Sequence, residues 1–247
     1  MIEIAFEDDN KLMVVTLNRP KVNAQNSEFM AQLTQAFTQA NQDDNVRGVL
    51  LRAEGKCFSA GLDLVEVLSL DEAGQKAFLT AFDEAYSAFY FCEKPIAAAV
   101  HGHAIAGGAV LALMADFCAL VDGPAQFGTT ELAVGVPFPQ VAWDAMYTAV
   151  PPRTLRKLIY GAALMDFPSA YEMGVGDVLT QNPEEAARGW LTTVSAFPSE
   201  TFKHTKQQMR QKASRHFDAP NLGEMVRVRE IMETPQVKEA LANALKR

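Results

Sequence analysis

The sequence is poor in cysteine and carries no excess of positive charge. Its three cysteines, Cys57, Cys92 and Cys118, lie far apart and form no CxxC pair. We therefore expect free thiols in a reducing cytoplasm and no disulfide framework. The formal net charge is -8 at pH 7, which disfavours nucleic acid or an anionic membrane as the main partner, because both attract a basic face.

Long apolar runs are absent as well. The most apolar stretch, around residues 95–115, is broken by His101, His103 and three glycines, whereas a membrane-spanning helix needs roughly 18 apolar residues in succession. Residues 1–9 contain no basic segment followed by an apolar one, so we expect no secretory signal. The sequence predicts a cytoplasmic protein with neither a membrane nor a nucleic acid as partner.

Strand-like and helix-like patterns alternate through the first part of the chain. Apolar residues at helical spacing, among them Phe29, Leu33 and Phe37, predict a helix over residues 27–42 with Asn26 or Ser27 as its cap. Further helices are predicted at 71–91 and 107–115. Strands are predicted at 2–7, 12–17, 46–53, 95–100, 117–121, from 126 onwards and at 177–180. This alternation indicates an α/β fold in which helices cover parallel strands.

Beyond about residue 137 the pattern is mostly helical. Helices are predicted at 139–149, 152–160, 168–173, 184–197, 199–217, 220–232 and 235–246. Several of them begin near a proline, which suits the first turn of a helix. No low-complexity linker interrupts the chain, so we expect a core over residues 1–195 with a helical region over 196–247 packed on it.

Two glycine-bearing turns are the most informative feature. Residues 56–64 read KCFSAGLDL and residues 101–110 read HGHAIAGGAV, and each turn follows an apolar, strand-like run. Because glycine has no side chain, a backbone that turns there can aim its N–H groups outward. Two such groups converging on one point would bind an oxyanion, which predicts chemistry through an enolate or a tetrahedral intermediate.

These turns, together with Asn18-Arg19-Pro20, Asn23-Ala24 and Asp116, resemble motifs of the crotonase (enoyl-CoA hydratase/isomerase) superfamily. The resemblance runs from about residue 2 to about residue 180. It implies a crotonase-like spiral of ββα units, with a C-terminal helical trimerisation region that also packs on neighbouring subunits. It further implies an acyl-CoA thioester as the substrate, no separate cofactor or metal, and a homotrimer or hexamer.

The resemblance also implies which groups do the chemistry. The N–H groups of Leu62 and Gly107 would hold the thioester oxygen, and Glu131 would be the base. Family hydratases use two glutamates, but Val110 occupies the position of the first, and valine cannot move a proton. One carboxylate beside an oxyanion hole suits isomerisation of a 3-enoyl-CoA to a 2-enoyl-CoA, as in the enoyl-CoA isomerases of this superfamily.

Other interpretations stay open. The chain could be a hydratase, hydrolase or decarboxylase on the same scaffold, or a catalytically silent acyl-CoA-binding subunit. Glu131 could be a solvated or helix-capping residue. His101 and His103 could share a strand face, but two histidines without a third ligand are a weak indication of zinc, and a backbone hydrogen bond or packing is favoured for His103.

Predicted contacts with the acyl-CoA follow from the resemblance. They involve the early loop, the two turns and an aromatic pair after Glu131: Arg19, Lys21, Ala60, Gly61, Asp63, Leu64, Gly108, Phe138 and Trp143. The acyl pocket would lie between a helix over residues 66–90 and the segment after Glu131. There the aromatic rings of Phe138 and Trp143 would favour a short or flat acyl chain.

Several charged residues have two interpretations. Basic residues before the first turn and on the late helix could meet the coenzyme A phosphates or form an ordinary solvated face: Lys56, Lys203, Lys206, Arg210 and Lys212. Asp63 and Asp116 could be mistaken for catalytic acids. We expect Asp63 to cap a helix and Asp116 to pair with an arginine.

Overall fold

The computed structural model describes residues 1–9, 11–210 and 230–244. Its larger sheet has six strands in the order β1-β2-β3-β5-β7-β10. These strands are β1 (Ile2–Glu7), β2 (Leu12–Leu17), β3 (Gly48–Ala53), β5 (Ile96–Val100), β7 (Phe117–Val121) and β10 (Val178–Thr180). β1 pairs antiparallel with β2, and every later pair is parallel. All five residues of β5 are buried, as expected for a central parallel strand covered on both faces.

A smaller sheet has four strands in the order β4-β6-β8-β9. They are β4 (Cys57–Ser59), β6 (His103–Ile105), β8 (Gln126–Gly128) and β9 (Met165–Asp166). β4, β6 and β8 directly follow β3, β5 and β7 in the chain. Each repeat therefore gives one strand to each sheet before its helix begins, which is the ββα spiral that the resemblance implies.

Helices of the first half pack on the sheets through apolar faces. α1 (Ser27–Gln42) is capped by Asn26, whose side chain accepts from the Phe29 N–H, and buries six apolar residues. It packs on α3 (Glu72–Tyr90), where the rings of Phe37 and Phe89 meet edge to face at 4.5 Å. α2 (Leu64–Ser69) precedes α3, and α4 (Gly107–Met114) is buried along its whole length.

The second half is helical. Its helices are α5 (Glu131–Val134), α6 (Gln140–Ala149), α7 (Pro152–Gly161), α8 (Phe167–Glu172), α9 (Pro183–Ser195), α10 (Ser199–Met209) and α11 (Pro235–Ala244). Ala187 and Leu191 of α9 pack on Leu50 and Ala97, which project from the face of the large sheet opposite the main core. The large sheet is thus covered on both sides. None of the helices in the described ranges is both long and apolar enough to cross a membrane.

The sequence predicted most elements to within two residues. It missed β4, β6, β9 and α5, because two to four residues are too few to show a period. The helix expected over 66–90 is two helices, since Asp71 caps a new one. In the helix expected over 199–217, α10 ends at Met209 and residues 211–217 lie outside the described residues. Of the helix expected over 220–232, only residues 230–232 are described. The division at residue 195 stays a prediction.

A buried ion network fastens α10 to the core. The Asp116 carboxylate binds Lys206 Nζ at 2.5 Å and Arg210 Nη2 at 2.6 Å. Arg210 also donates to the backbone carbonyls of Tyr90 and Met114. Burial lowers the pKa of Lys206 to about 8, against the opposing attraction of Asp116. The pairing of Asp116 with an arginine is confirmed.

The prediction that Lys206 and Arg210 meet coenzyme A phosphates is wrong, since both side chains are buried and bind Asp116. Lys203 instead pairs with Glu93 at 2.8 Å. Lys56 is exposed, and Lys212 lies outside the described residues. The basic residues of α10, and Arg210 directly after it, thus mainly bind acidic groups of the core.

Replacing Asp116 should be costly, because it leaves two buried cations without their anion. We expect Asp116→Ala to lower the free energy of unfolding by about 3–5 kcal/mol. Lys203→Ala, which breaks a solvent-exposed pair with Glu93, is the control and should leave the free energy of unfolding close to that of wild type. Denaturant unfolding measures both, and equal losses in the two variants would contradict the structural role given to Asp116.

Candidate active site

The two glycine turns touch each other. Gly61 has a φ of +82°, and a Cβ built on it would lie 2.8 Å from the Gly107 nitrogen. A Cβ on Gly108 would overlap the carbonyl of Ser59. Such contacts are possible only between residues without side chains. The two turns therefore lie in direct contact, and the convergence of their N–H groups on one oxygen stays a prediction.

Two backbone donors remain open at this contact. In the described chain, neither the Leu62 N–H nor the Gly107 N–H has a hydrogen-bond acceptor. Gly107 is the first residue of α4, so the positive end of the helix dipole lies beside its N–H. Ala106, just before it, has a φ of 51° and a ψ of -127°. That conformation is costly for a residue with a Cβ and indicates that the surrounding structure imposes the turn.

Leu62 and Gly107, which carry these donors, both line a cavity of about 480 Å³. Its walls are mainly apolar, with Leu79 and Phe82 from α3, Val110 from α4, and Val134 and Phe138 from the segment after Glu131. Met232 and Ala244 line it as well, so residues from the C-terminal region take part in the enclosure. The cavity therefore lies between the two segments from which the acyl pocket was predicted.

Glu131 is a buried carboxyl on this wall. It is the first residue of α5, its exposed fraction is 7%, and its Oε2 has no hydrogen-bond partner in the described residues. Burial raises its pKa to about 8, although its own backbone N–H acts in the opposite direction. The solvated interpretation is wrong, and Thr130, not Glu131, occupies the N-cap of α5. A poorly solvated carboxylate of raised pKa is suited to act as a general base.

Other predicted site residues lie in two layers. Ala60, Leu62, Leu64, Gly107, Glu131 and Phe138 line the cavity. Gly61 and Gly108 form the contact between the turns. Trp143 packs on Phe138, with the ring centroids 5.3 Å apart. Trp143 therefore supports the cavity wall without forming part of it.

The early loop is held by an ion pair. Arg19 binds Asp63 at 2.6 Å and donates to the Ala24 carbonyl. Asp63 also accepts from the Val65 and Glu66 N–H groups, so its predicted role as a helix cap is confirmed. Arg19 and Lys21 lie outside the cavity lining, and their contact with coenzyme A stays a prediction.

The two histidines bind the backbone. His101 Nε2 lies 2.8 Å from the Gly55 carbonyl, and His103 Nδ1 accepts from the Gln126 N–H at 3.1 Å. The backbone contact favoured for His103 is confirmed. Across the described ranges, no group of three His, Cys, Asp or Glu side chains could hold a metal ion.

Sequence reasoning missed Gln25 and Tyr86, which lie behind the turns. Tyr86 belongs to the apolar stripe of α3, and the stripe predicts only a core position. The Tyr86 hydroxyl is the one polar atom in a stripe of phenylalanines. It could have indicated a buried hydrogen bond, because a buried Tyr O–H usually requires a partner. Gln25 follows the Asn23-Ala24 motif without a pattern of its own.

Comparison with known proteins identifies the family. The family description "Enoyl-CoA hydratase/isomerase" matches residues 7–244. The chain belongs to this family. It is 30% identical over 213 residues to a probable enoyl-CoA hydratase of Mycobacterium bovis, with 83% of this chain and 79% of that protein covered.

Relatives of the family carry both activities in their names. The mouse mitochondrial enoyl-CoA delta isomerase 1 is 27% identical over 202 residues, covering 80% of this chain and 70% of that protein. The crystal structure of human mitochondrial delta3-delta2-enoyl-CoA isomerase has a TM-score of 0.92 at 24% identity, with 99% of this chain and 96% of that one covered. The crotonase fold is thus confirmed, and the chain is an enzyme of the hydratase/isomerase family.

The buried state of Glu131 should show in the pH dependence of stability. Its pKa is about 8 when folded against 4.5 for the unconstrained group, so the folded state holds a proton that the unfolded state has released. Wild-type stability should therefore fall by a few kcal/mol as pH rises from about 4.5 through about 8.

Thermal melts of wild type and Glu131→Gln from pH 5 to pH 9 test this. The variant has no carboxyl to ionise and should become the more stable protein at high pH. Glu172→Gln, at an exposed position, is the control and should follow wild type. Parallel curves for wild type and Glu131→Gln would contradict the burial of the carboxyl.

Proposed function

We propose that the protein isomerises 3-enoyl-CoA to 2-enoyl-CoA with Glu131 as the single base. The observation that carries this is the pairing of one buried carboxyl, Glu131, with apolar Val110 in a cavity that Leu62 and Gly107, the residues with open N–H groups, also line. The acyl-CoA substrate follows from the family and from the enoyl-CoA names of its members.

The reaction needs only one proton carrier. The Glu131 carboxylate removes a proton from C2, next to the thioester carbonyl, and the electron pair moves into a dienolate whose charge lies on the carbonyl oxygen. The carboxylic acid then returns the proton to C4, and the electrons form the C2–C3 double bond. No atom is gained or lost, so neither water nor a redox partner is required.

The oxyanion is the species to stabilise. The Leu62 and Gly107 N–H groups would donate to the dienolate oxygen, and one such preorganised donor contributes roughly 3–4 kcal/mol in the transition state. The apolar walls strengthen both hydrogen bonds because they lower the local dielectric. The dipole of α4 acts in the same direction.

The raised pKa of Glu131 suits a carbon acid. A carboxylate near pKa 8 binds a proton more strongly than one in water, and this reduces the unfavourable difference in acidity from C2. The two N–H donors lower the free energy of the enolate. The two effects together bring the proton affinities of base and carbon closer.

Hydration is the second candidate, since a relative of 30% identity is named as a probable hydratase. Adding water across a 2-enoyl-CoA requires water to be activated and a proton to be delivered, and Val110 offers no polar atom for either.

Phe138, supported by Trp143, would limit the acyl chain to a short or flat one. Arg19 and Lys21 are the proposed contacts for coenzyme A.

Purified protein mixed with 3-hexenoyl-CoA should produce the absorbance of the conjugated 2-enoyl thioester. Glu131→Gln should reduce this rate at least about a hundredfold, the usual contribution of a positioned base. 2-Hexenoyl-CoA in water is the control for hydration and should remain unchanged. No turnover of 3-hexenoyl-CoA by a folded protein that binds it would refute the isomerase and leave either a different acyl-CoA reaction or a silent binding role.

Val110→Glu should add the missing carboxyl and allow hydration of 2-hexenoyl-CoA. Val110 lines the same cavity as Glu131, so the new side chain would reach the same bound acyl group. Val110→Gln, similar in size but unable to donate or accept a full proton, is the matched control. Equal hydration by both variants, or by neither, would argue against the two-carboxyl explanation.

A further inference from the structure

A row of buried polar groups connects the two turns from behind. The Gly61 N–H donates to Ser59 Oγ at 3.2 Å, and Gln25 Nε2 donates to the same oxygen at 3.1 Å. At its other end, Gln25 Oε1 lies 2.9 Å from the Tyr86 hydroxyl. The Gly107 carbonyl oxygen also lies 2.9 Å from that hydroxyl, whose single hydrogen is shared between these two acceptors. The row therefore runs from one turn to the other without a gap.

Its ends coincide with the two open donors. Gly61 directly precedes Leu62, and Gly107 itself carries the second open N–H. A Cβ on Gly107 would meet Gln25 Oε1 at 2.8 Å and the Tyr86 oxygen at 2.9 Å. Both side chains thus fill the space in which a side chain on Gly107 would lie.

Burial makes this row rigid. Ser59, Gln25 and Tyr86 are each 0% exposed, and a buried polar group that loses its partner costs about 1–3 kcal/mol. Ser59 Oγ also donates to the Asn23 carbonyl at 2.8 Å, so its bonding capacity is used. Buried hydrogen bonds of this kind resist displacement, because breaking one leaves a polar group unpaired away from water.

α3 holds the tyrosine in place. The Tyr86 ring stacks on the Phe82 ring, with centroids 4.1 Å apart, and Phe82 lines the cavity. Burial and the nearby Glu131 carboxylate raise the pKa of the Tyr86 hydroxyl well above its ordinary value. The hydroxyl therefore stays protonated and remains a donor throughout the working pH range.

We propose that Tyr86 and Gln25 are positioning residues that set the separation and direction of the Leu62 and Gly107 N–H groups. The proposal rests on the proposed function, in which these groups hold the thioester oxygen. Productive geometry tolerates errors of only about 0.5 Å. Two donors on separate turns keep a fixed separation only if the turns are held together, and this row of polar groups contacts both turns.

Tyr86→Phe removes the hydroxyl and keeps the ring. We expect kcat on 3-hexenoyl-CoA to fall about tenfold, less than the loss for deleting an oxyanion donor outright. KM should change by less than about threefold, because the effect falls on the transition state. Tyr90→Phe is the matched control: it lies on the same helix and loses a hydroxyl that contacts Thr148, away from the turns, so its kcat should match wild type.

A spectroscopic measurement separates positioning from stability. In a Glu131→Gln background, bound 2,4-hexadienoyl-CoA should show a red shift of its absorbance, because the two N–H groups polarise the carbonyl. The shift should be smaller in Glu131→Gln/Tyr86→Phe and unchanged in Glu131→Gln/Tyr90→Phe. Should the Tyr86 variant not fold, Gln25→Met in the same background provides the same comparison.

The outcomes distinguish the two proposals. A full red shift and a wild-type kcat in Tyr86→Phe would overturn the positioning role. A red shift in the Glu131→Gln protein that shrinks with Tyr86→Phe, without any isomerisation by wild type, would support the positioning role and reject the isomerase. Absence of a red shift when the dienoyl thioester is bound would overturn both proposals, since the open donors would then not hold its oxygen.

Discussion

Close backbone contact between the turns at Gly61 and Gly107-Gly108 is the constraint on which the site depends. The turns end strands β4 and β6 of the small sheet, and the pairing of those strands brings them side by side. Any side chain at Gly61 or Gly108 would meet backbone atoms, so two glycines permit the approach. The strained backbone of Ala106 shows that the arrangement is imposed by its surroundings, as is common at functional sites.

Beside this contact, the ionisable carboxyl of Glu131 lies against an apolar cavity wall. The cavity wall desolvates Glu131 and so raises its pKa, while Val110 adds no polar group nearby. The same apolar environment that destabilises the carboxylate increases its affinity for a proton and strengthens hydrogen bonds to an oxyanion. One environment thus serves both halves of the proposed chemistry.

Residues of the C-terminal region both line the cavity and pack against the core. α11 packs Val237 and Leu241 near Val136 and Leu62, and Met232 lines the cavity. α10 is held by Asp116, which follows α4, the helix that begins at Gly107. The assembly into trimers and the contact with neighbouring subunits stay predictions, as does the cytoplasmic location.

Most of the local structure, and the kinds of chemical group that the site could use, were predictable from the residues along the chain. Periodicity placed α1 and the strands β1 and β2, because helix and strand repeats are local properties. The residue types at 110 and 131 already indicated one carboxyl in place of two. Contacts between residues far apart in the chain could be seen only in the folded protein. Arg19 pairs with Asp63, Lys206 turns inward to Asp116, and Gln25 and Tyr86 connect the turns, because packing and loss of water set these contacts and neither has a period along the chain.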